Sequence, residues 1–215
     1  MVDVGYACAF YQNEALRNLP CKRVQCHEIW AFCASKEKNT SRENKREHGH
    51  GDVWTWTVLC ADTKLIVSWM VGGRSARYAM SLMEDLKGRL ANRVQLTTDG
   101  HKAYLRAVEE TFGSDIDYAM LVKLFGEPAG NPKEADVSTS YVKRQNLTMR
   151  MGMRRFTRLT NGFSKKIDNH EHAIALHFMY YNFGRIHKTL RVTPAMEAGI
   201  ADHVWTLEEI AKLAD

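Results

Sequence analysis

Asp99 stands in Thr97-Thr98-Asp99-Gly100-His101, at the end of the apolar-rich run Arg93–Thr98 and just before a helical pattern. A carboxylate at the end of a strand in an open α/β sheet is placed to meet a ligand or a metal; an Asp in such a turn also serves as turn former or helix N-cap. A second candidate position is His27, beside Glu28 in Arg23-Val24-Gln25-Cys26-His27-Glu28-Ile29-Trp30. The third feature is a stripe of charge. Between Tyr141 and Asp168 stand Lys143, Arg144, Arg150, Arg154, Arg155, Arg158, Lys165 and Lys166 against Asp168 alone, a local +7 in a chain of net +5. Arg-rich stripes suit phosphate contacts, although a solvated helix face has the same composition. Cys21, Cys26 and His27 could surround zinc, but a second closely spaced ligand pair is missing. The five cysteines therefore read as reduced thiols. His48 and His50 read as loop residues, and His170, His172 and His177 as structural or surface histidines.

These positions need a scaffold, and the patterning supplies one. Residues 23–34 read as a β-branched and aromatic strand, and Lys36–His50 as an exposed charged loop. Val53–Ala61 and Leu65–Val71 form a hairpin about Asp62-Thr63-Lys64. Trp54, Trp56 and Trp69 on it read as core and sheet cover. A helix capped by Ser75 carries Ala79, Leu82, Met83, Leu86 and Leu90 at three- and four-residue spacing, with Gly88 its weak point. The strand Arg93–Thr98, the helix His101–Phe112 and the strand Ile116–Phe125 follow. Past the break Glu127–Pro132, a helix from Ser138, Thr139 or Ser140 runs through about Arg158. Met149, Met151 and Met153 are expected to pack it. Asn169–Phe183 makes another helix, and Ala201–Asp215 a short docking helix. The alternation of strands and helices predicts one mixed α/β layer domain.

A length of 215 residues, 45% apolar and 26% charged, is enough for one sizeable core and excludes collagen-like, low-complexity and fully disordered classes. The longest uncharged runs are far shorter than the roughly 20 residues of a bilayer span. The start Met1-Val2-Asp3 does not read as a secretory signal, and a cytoplasmic protein is expected.

Longer stretches carry a resemblance. Gly51-Asp52-Val53-Trp54-Thr55-Trp56, the Thr97–His101 turn, Ser138-Thr139-Ser140-Tyr141-Val142-Lys143-Arg144-Gln145-Asn146-Leu147-Thr148, and Tyr181-Asn182 through Arg185-Ile186-His187-Lys188-Thr189-Leu190 to Thr193-Pro194-Ala195 resemble transposases of the bacterial insertion-sequence-one family, over about residues 3–200. The resemblance implies a ribonuclease-H-like, retroviral-integrase-like core of about five strands flanked by helices, which cuts and joins DNA at element ends. It implies three carboxylates holding two Mg²⁺ or Mn²⁺ ions that activate the nucleophile and stabilise the leaving oxygen. Such relatives also carry an N-terminal zinc-binding and helix-turn-helix portion, and this chain starts near its end.

Carried over residue by residue, the triad positions are His27, Asp99 and Lys143, so one carboxylate remains. Imidazole suits Mg²⁺ poorly, and an ammonium stands where metal charge belongs. Glu28 is expected to point to the opposite strand face from His27, because successive side chains alternate. The expected division is residues 1–22 as N-terminal remnant or linker, 23–190 as the core and 191–215 as a tail with a short helix. The expected function is DNA binding by a transposase-derived domain with impaired catalysis and weakened Mg²⁺ or Mn²⁺ binding. Double-stranded DNA would be met through Arg144, Asn146, Arg150, Arg154, Arg155, Arg158, Lys165 and Lys166. Homo-oligomers or mixed multimers with an active transposase are further expected partners, and no membrane is. The alternatives are an active two-metal enzyme using other ligands, and a non-catalytic regulator or protein-interaction module.

Overall fold

A computed structural model describes residues 2–121, 137–157 and 160–215. The fold is mixed α/β, a five-stranded mixed sheet flanked by helices, consistent with a ribonuclease-H-like core. The strands are β1 (Arg23–Cys33), β2 (Gly51–Cys60), β3 (Ile66–Gly72), β4 (Gln95–Asp99) and β5 (Asp117–Leu121), in the spatial order β3-β2-β1-β4-β5. β2 and β3 are joined by five residues, a connection that only antiparallel neighbours allow. Ala61 N–H donates to Arg23 O, which sets the end of β2 beside the start of β1. β1, β4 and β5 run parallel. Each parallel crossover needs a helix, and α3 (Ala76–Lys87) and α4 (Ala103–Phe112) supply two of them, packed on each other.

By internal contacts the chain divides into two compact units, Leu16–Ile29 with Thr55–Asn146, and Met1–Ala15 with Trp30–Trp54 and Leu147–Asp215. In the first, Val24, Cys26, Val58, Ile66, Leu82, Leu86, Leu96 and Tyr104 are buried. Trp56 is fully buried there, its Nε1 donating to Gly73 O at 3.0 Å. The helix over 76–87 stops at Gly88 as its composition predicts. Ser75 stands at the N-cap without a capping side-chain hydrogen bond, so its backbone geometry alone starts the helix.

In the second unit, α1 (Val2–Ala15) packs on α6 (Ile167–Met179). The patterning gave no helix over 1–22, because residues 2–15 lack a clean apolar stripe. What holds α1 is a buried polar network. Gln12 Nε2 donates to Cys8 O at 3.0 Å and to Ala175 O at 3.1 Å, and Asn182 Nδ2 donates to Gln12 Oε1 at 3.4 Å. The charged stretch expected as a loop contains α2 (Arg42–His48). Ser41 Oγ accepts Asn44 N–H at 3.2 Å, and Gly49 closes the helix at φ 61°, a local capping solution that charge density concealed.

The helix expected to reach Arg158 is shorter. α5 (Ser140–Gly152) ends at Gly152, and Met153 turns extended at φ −119°, ψ 109°. Arg154 and Arg155 therefore leave the helical register that carries Lys143 and Arg150. Of the three methionines expected to pack this helix, Met149 and Met153 are buried but Met151 is 79% exposed, because it stands two residues on from Met149 and so turns to the other side of the helix. The chain ends in α7 (Pro194–Glu197) and α8 (Leu207–Ala211), the latter held by a Thr206/Glu209 capping box. All five cysteines are buried free thiols. No helix of the described residues is long and apolar enough to cross a membrane.

Candidate functional site

The first unit carries the candidate site. Parallel pairing aligns Cys26 with Thr98, so one residue further on His27 stands beside Asp99, the last residue of β4. Their side chains meet, His27 Nδ1 lying 3.0 Å from Asp99 Oδ2. The other carboxylate oxygen, Oδ1, accepts the backbone N–H of His101 at 3.2 Å, an Asx-type turn that leads into α4. Both readings of the Thr97–His101 motif thus hold at once, since one oxygen shapes the turn and the other faces a partner. Burial works to raise the Asp99 carboxyl. The His27 contact, the His101 N–H and the Arg74 charge outweigh it and hold the group below the usual carboxylate range.

Glu28, expected to point to the opposite strand face, still brings one carboxylate oxygen to the same cluster. One ligand atom each of His27, Glu28 and Asp99 lies within 4.8 Å of the other two. β4 ends at Asp99, opposite His27, while β1 continues to Cys33. The Glu28 side chain is fully buried; Oε2 lies 3.2 Å from Arg74 Nη2 and Oε1 makes no hydrogen bond of good geometry. Burial pushes the Glu28 carboxyl up, and the Asp99 charge adds to that. Tyr104, His101 and Arg74 pull it back only in part.

Around the carboxylates stand His101, stacked on Trp56 with ring centroids 5.7 Å apart, and Tyr104, edge-on to Trp56 at 5.5 Å. Burial pushes the Tyr104 phenol well above its ordinary value. Nothing in the sequence spacing pointed to Arg74 or Tyr104, 46 and 76 residues beyond Glu28, because the sheet order alone brings them there.

Lys143 lies exposed on the first turn of α5. That helix is seated on β1, because Gln25 Oε1 accepts the N–H of Tyr141 at 3.0 Å and of Val142 at 3.1 Å. Asn146 is buried, its Nδ2 donating to Glu28 O at 3.4 Å. Its amide therefore ties α5 to β1 and is not presented on the outer face expected for a DNA contact. Arg144 is exposed on α5.

In the other unit Arg150, half-buried on the last turn of α5, is followed by exposed Arg154 and by Arg155, whose Nη1 donates to Ser164 Oγ at 2.9 Å. Lys165 and Lys166 are exposed, Lys165 Nζ lying 3.2 Å from the Phe163 ring centroid. Arg158 lies outside the described residues. Cys21 and Cys26 are buried and join no cluster of three metal-ligating side chains among the described residues; His27, Glu28 and Asp99 form the one that occurs. His170 is fully buried with Nδ1 2.8 Å from Ser164 Oγ, a structural histidine as expected.

No protein-family model matches the chain, and no curated protein matches its sequence. Among solved structures it is similar to a chain in the cryo-EM structure of a simian T-cell lymphotropic virus intasome in complex with PP2A regulatory subunit B56 gamma. The match has a TM-score of 0.53 at 15% identity, over 88% of this chain and 58% of that one. This chain thus spans a little over half the length of that neighbour, and the likeness is one of fold.

Proposed function

We propose that this protein is a transposase-derived, DNA-binding domain of the insertion-sequence-one type whose strand-cutting chemistry is disarmed. The observation that carries the reading is the 3.0 Å contact of His27 with Asp99 on adjacent parallel strands. The motif resemblance assigns these two positions to metal-holding carboxylates. The integrase-like fold supports the ancestry.

A pair of Mg²⁺ ions does not fit the residues at the three family positions. Mg²⁺ demands oxygen ligands, and only Asp99 supplies them. His27 offers nitrogen and already engages Asp99 Oδ2, and Lys143 adds positive charge where two dications would have to be balanced. The same positive charge favours a phosphate backbone. Arg144, Arg154, Lys165 and Lys166 are exposed and supply the electrostatic affinity for double-stranded DNA that this reading requires. A chain that binds DNA without cutting it acts as a regulator or as an inhibitory member of mixed multimers with a complete transposase.

The test is nicking and strand transfer on supercoiled DNA with matched element ends, in Mg²⁺ or Mn²⁺, comparing the protein with the H27D/K143E double variant. Activity only in the double variant supports the proposal. Cutting by the unaltered protein that disappears in Asp99→Asn overturns the disarmed site, and loss of salt-dependent duplex binding overturns the DNA role.

A further inference from the structure

We propose that His27, Glu28 and Asp99 form a single-ion site for a borderline divalent cation, Zn²⁺ in the first instance. This site differs from the carboxylate triad of the resemblance in its ligands. It recruits Glu28, makes no use of position 143, and exchanges one hard oxygen donor for an imidazole.

Each carboxylate has one oxygen held by the protein, and one oxygen of each lies within 4.8 Å of a His27 ring nitrogen. Asp99 Oδ1 is occupied by the His101 N–H, leaving Oδ2 beside His27 Nδ1. Glu28 Oε2 is held by Arg74, and Oε1 makes no hydrogen bond of good geometry although the side chain is fully buried; the carboxyl's other polar neighbour is the Tyr104 hydroxyl. Outer contacts of this kind orient metal ligands. A buried carboxylate oxygen without a well-formed hydrogen bond is costly, and a cation bound beside it would relieve that cost.

The distances suit one ion. Three donors about 2.0–2.2 Å from a tetrahedral Zn²⁺ lie roughly 3.4 Å from one another. The donors here all fall within 4.8 Å, with His27 Nδ1 and Asp99 Oδ2 at 3.0 Å, so gathering them about one ion needs a movement of roughly 1 Å. Charge also favours the site, since the two carboxylates are offset by Arg74, which pairs with Glu28, and a dication takes these three groups from net −1 to net +1. Imidazole nitrogen with two carboxylates selects Zn²⁺ or Co²⁺ over Mg²⁺. With three protein ligands the fourth position is open to water or to a phosphate oxygen.

The inference stands apart from the DNA-binding reading, and its test uses no DNA. The full chain, stripped with a chelator, is titrated with Co²⁺ while the visible d–d absorption is followed, and Zn²⁺ and Mg²⁺ are then used as competitors. The expected result is one Co²⁺ per chain in a nitrogen/oxygen environment, displaced by an equivalent of Zn²⁺ and unmoved by a large excess of Mg²⁺. Glu28→Gln and Asp99→Asn weaken binding by about tenfold or more. His203→Ala, which removes the exposed Asp202–His203–Glu209 cluster, leaves it unchanged. Circular dichroism accompanies every variant. If Glu28→Gln does not fold, the half-exposed His27→Gln replaces it and must show the same loss. Absence of Co²⁺ absorption, equal competition by Mg²⁺, or binding that survives both His27→Gln and Asp99→Asn overturns the proposal.

Discussion

Gln25 on β1 and Val142 on α5, 117 residues apart, are joined by a hydrogen bond of 3.1 Å, and the same Gln25 Oε1 also accepts Tyr141 N–H at 3.0 Å. One strand side chain thus satisfies two of the N–H groups that a helix leaves open at its start. Gln25 is 3% exposed and Val142 fully buried, so water cannot replace the contact. Gln25→Ala should lower stability by about 1–3 kcal/mol, measured by urea unfolding, whereas Gln25→Glu, which keeps an acceptor at a helix N-terminus, should retain most of it. Equal losses in both variants would rule out the capping role.

Gly5 sets how closely α1 approaches α6. A Cβ at this position would stand 2.5 Å from His172 Cβ and 2.7 Å from His172 O, both on a packed helix. Gly5→Ala should therefore destabilise by about 1–3 kcal/mol through forced separation. Gly152→Ala, whose new methyl would meet only His177 Cε1 at 3.5 Å, should be neutral or slightly stabilising. Thermal melts of the two variants distinguish a steric limit from a general intolerance of substitution.

The buried histidines set an acid limit on stability. Burial pushes His170 and His177 down to about 4, and Arg155 and Arg185 respectively add to the effect. An unfolded chain protonates these rings near pH 6.5, so between 6.5 and about 4 it binds protons that the folded chain excludes. Their contribution is complete above pH 6.5 and is lost on acidification, on the order of 3 kcal/mol for each ring. The raised carboxyls of Glu28 and Glu171 act in the opposite sense and offset part of the slope. Urea midpoints should fall between pH 7 and 4.5, and His177→Gln should flatten the profile; a midpoint constant across that range would contradict the assignment.

DNA binding by the exposed basic residues should depend steeply on salt. Lys166→Ala and Arg154→Ala should each weaken duplex binding uniformly across sequences and reduce the slope of log K against log salt by about 1, with unchanged melting temperature. Asn146→Ala should instead lower the melting temperature and leave the slope alone, because its amide is committed to Glu28 O. Fluorescence anisotropy with duplex DNA at several salt concentrations reads both outcomes.

Much of this was legible along the chain. Alternating and helical apolar periods located β2, β3, α3, α4 and α6 to within a few residues, since burying one face leaves its period in the sequence. The motif turn placed Asp99 at a strand end, and the residue types at positions 27 and 143 were visible directly. Helices α1 and α2 were not legible, because one rests on the buried polar Gln12 and the other on a serine cap in a charged stretch. The length of α5 was overestimated because side-chain pattern alone does not report the extended backbone of Met153.

The sequence by itself determined the charge stripe, the reduced thiols and the chemical types that stand at the motif positions, all properties of residues taken singly or at short range. Only the tertiary structure decided which of those residues meet. Strand order set Arg74 and Tyr104 about Glu28 and brought a Glu28 oxygen within 4.8 Å of His27 and Asp99. Alternation is a rule about one strand, whereas a cluster of donors depends on which strands are neighbours and in what register.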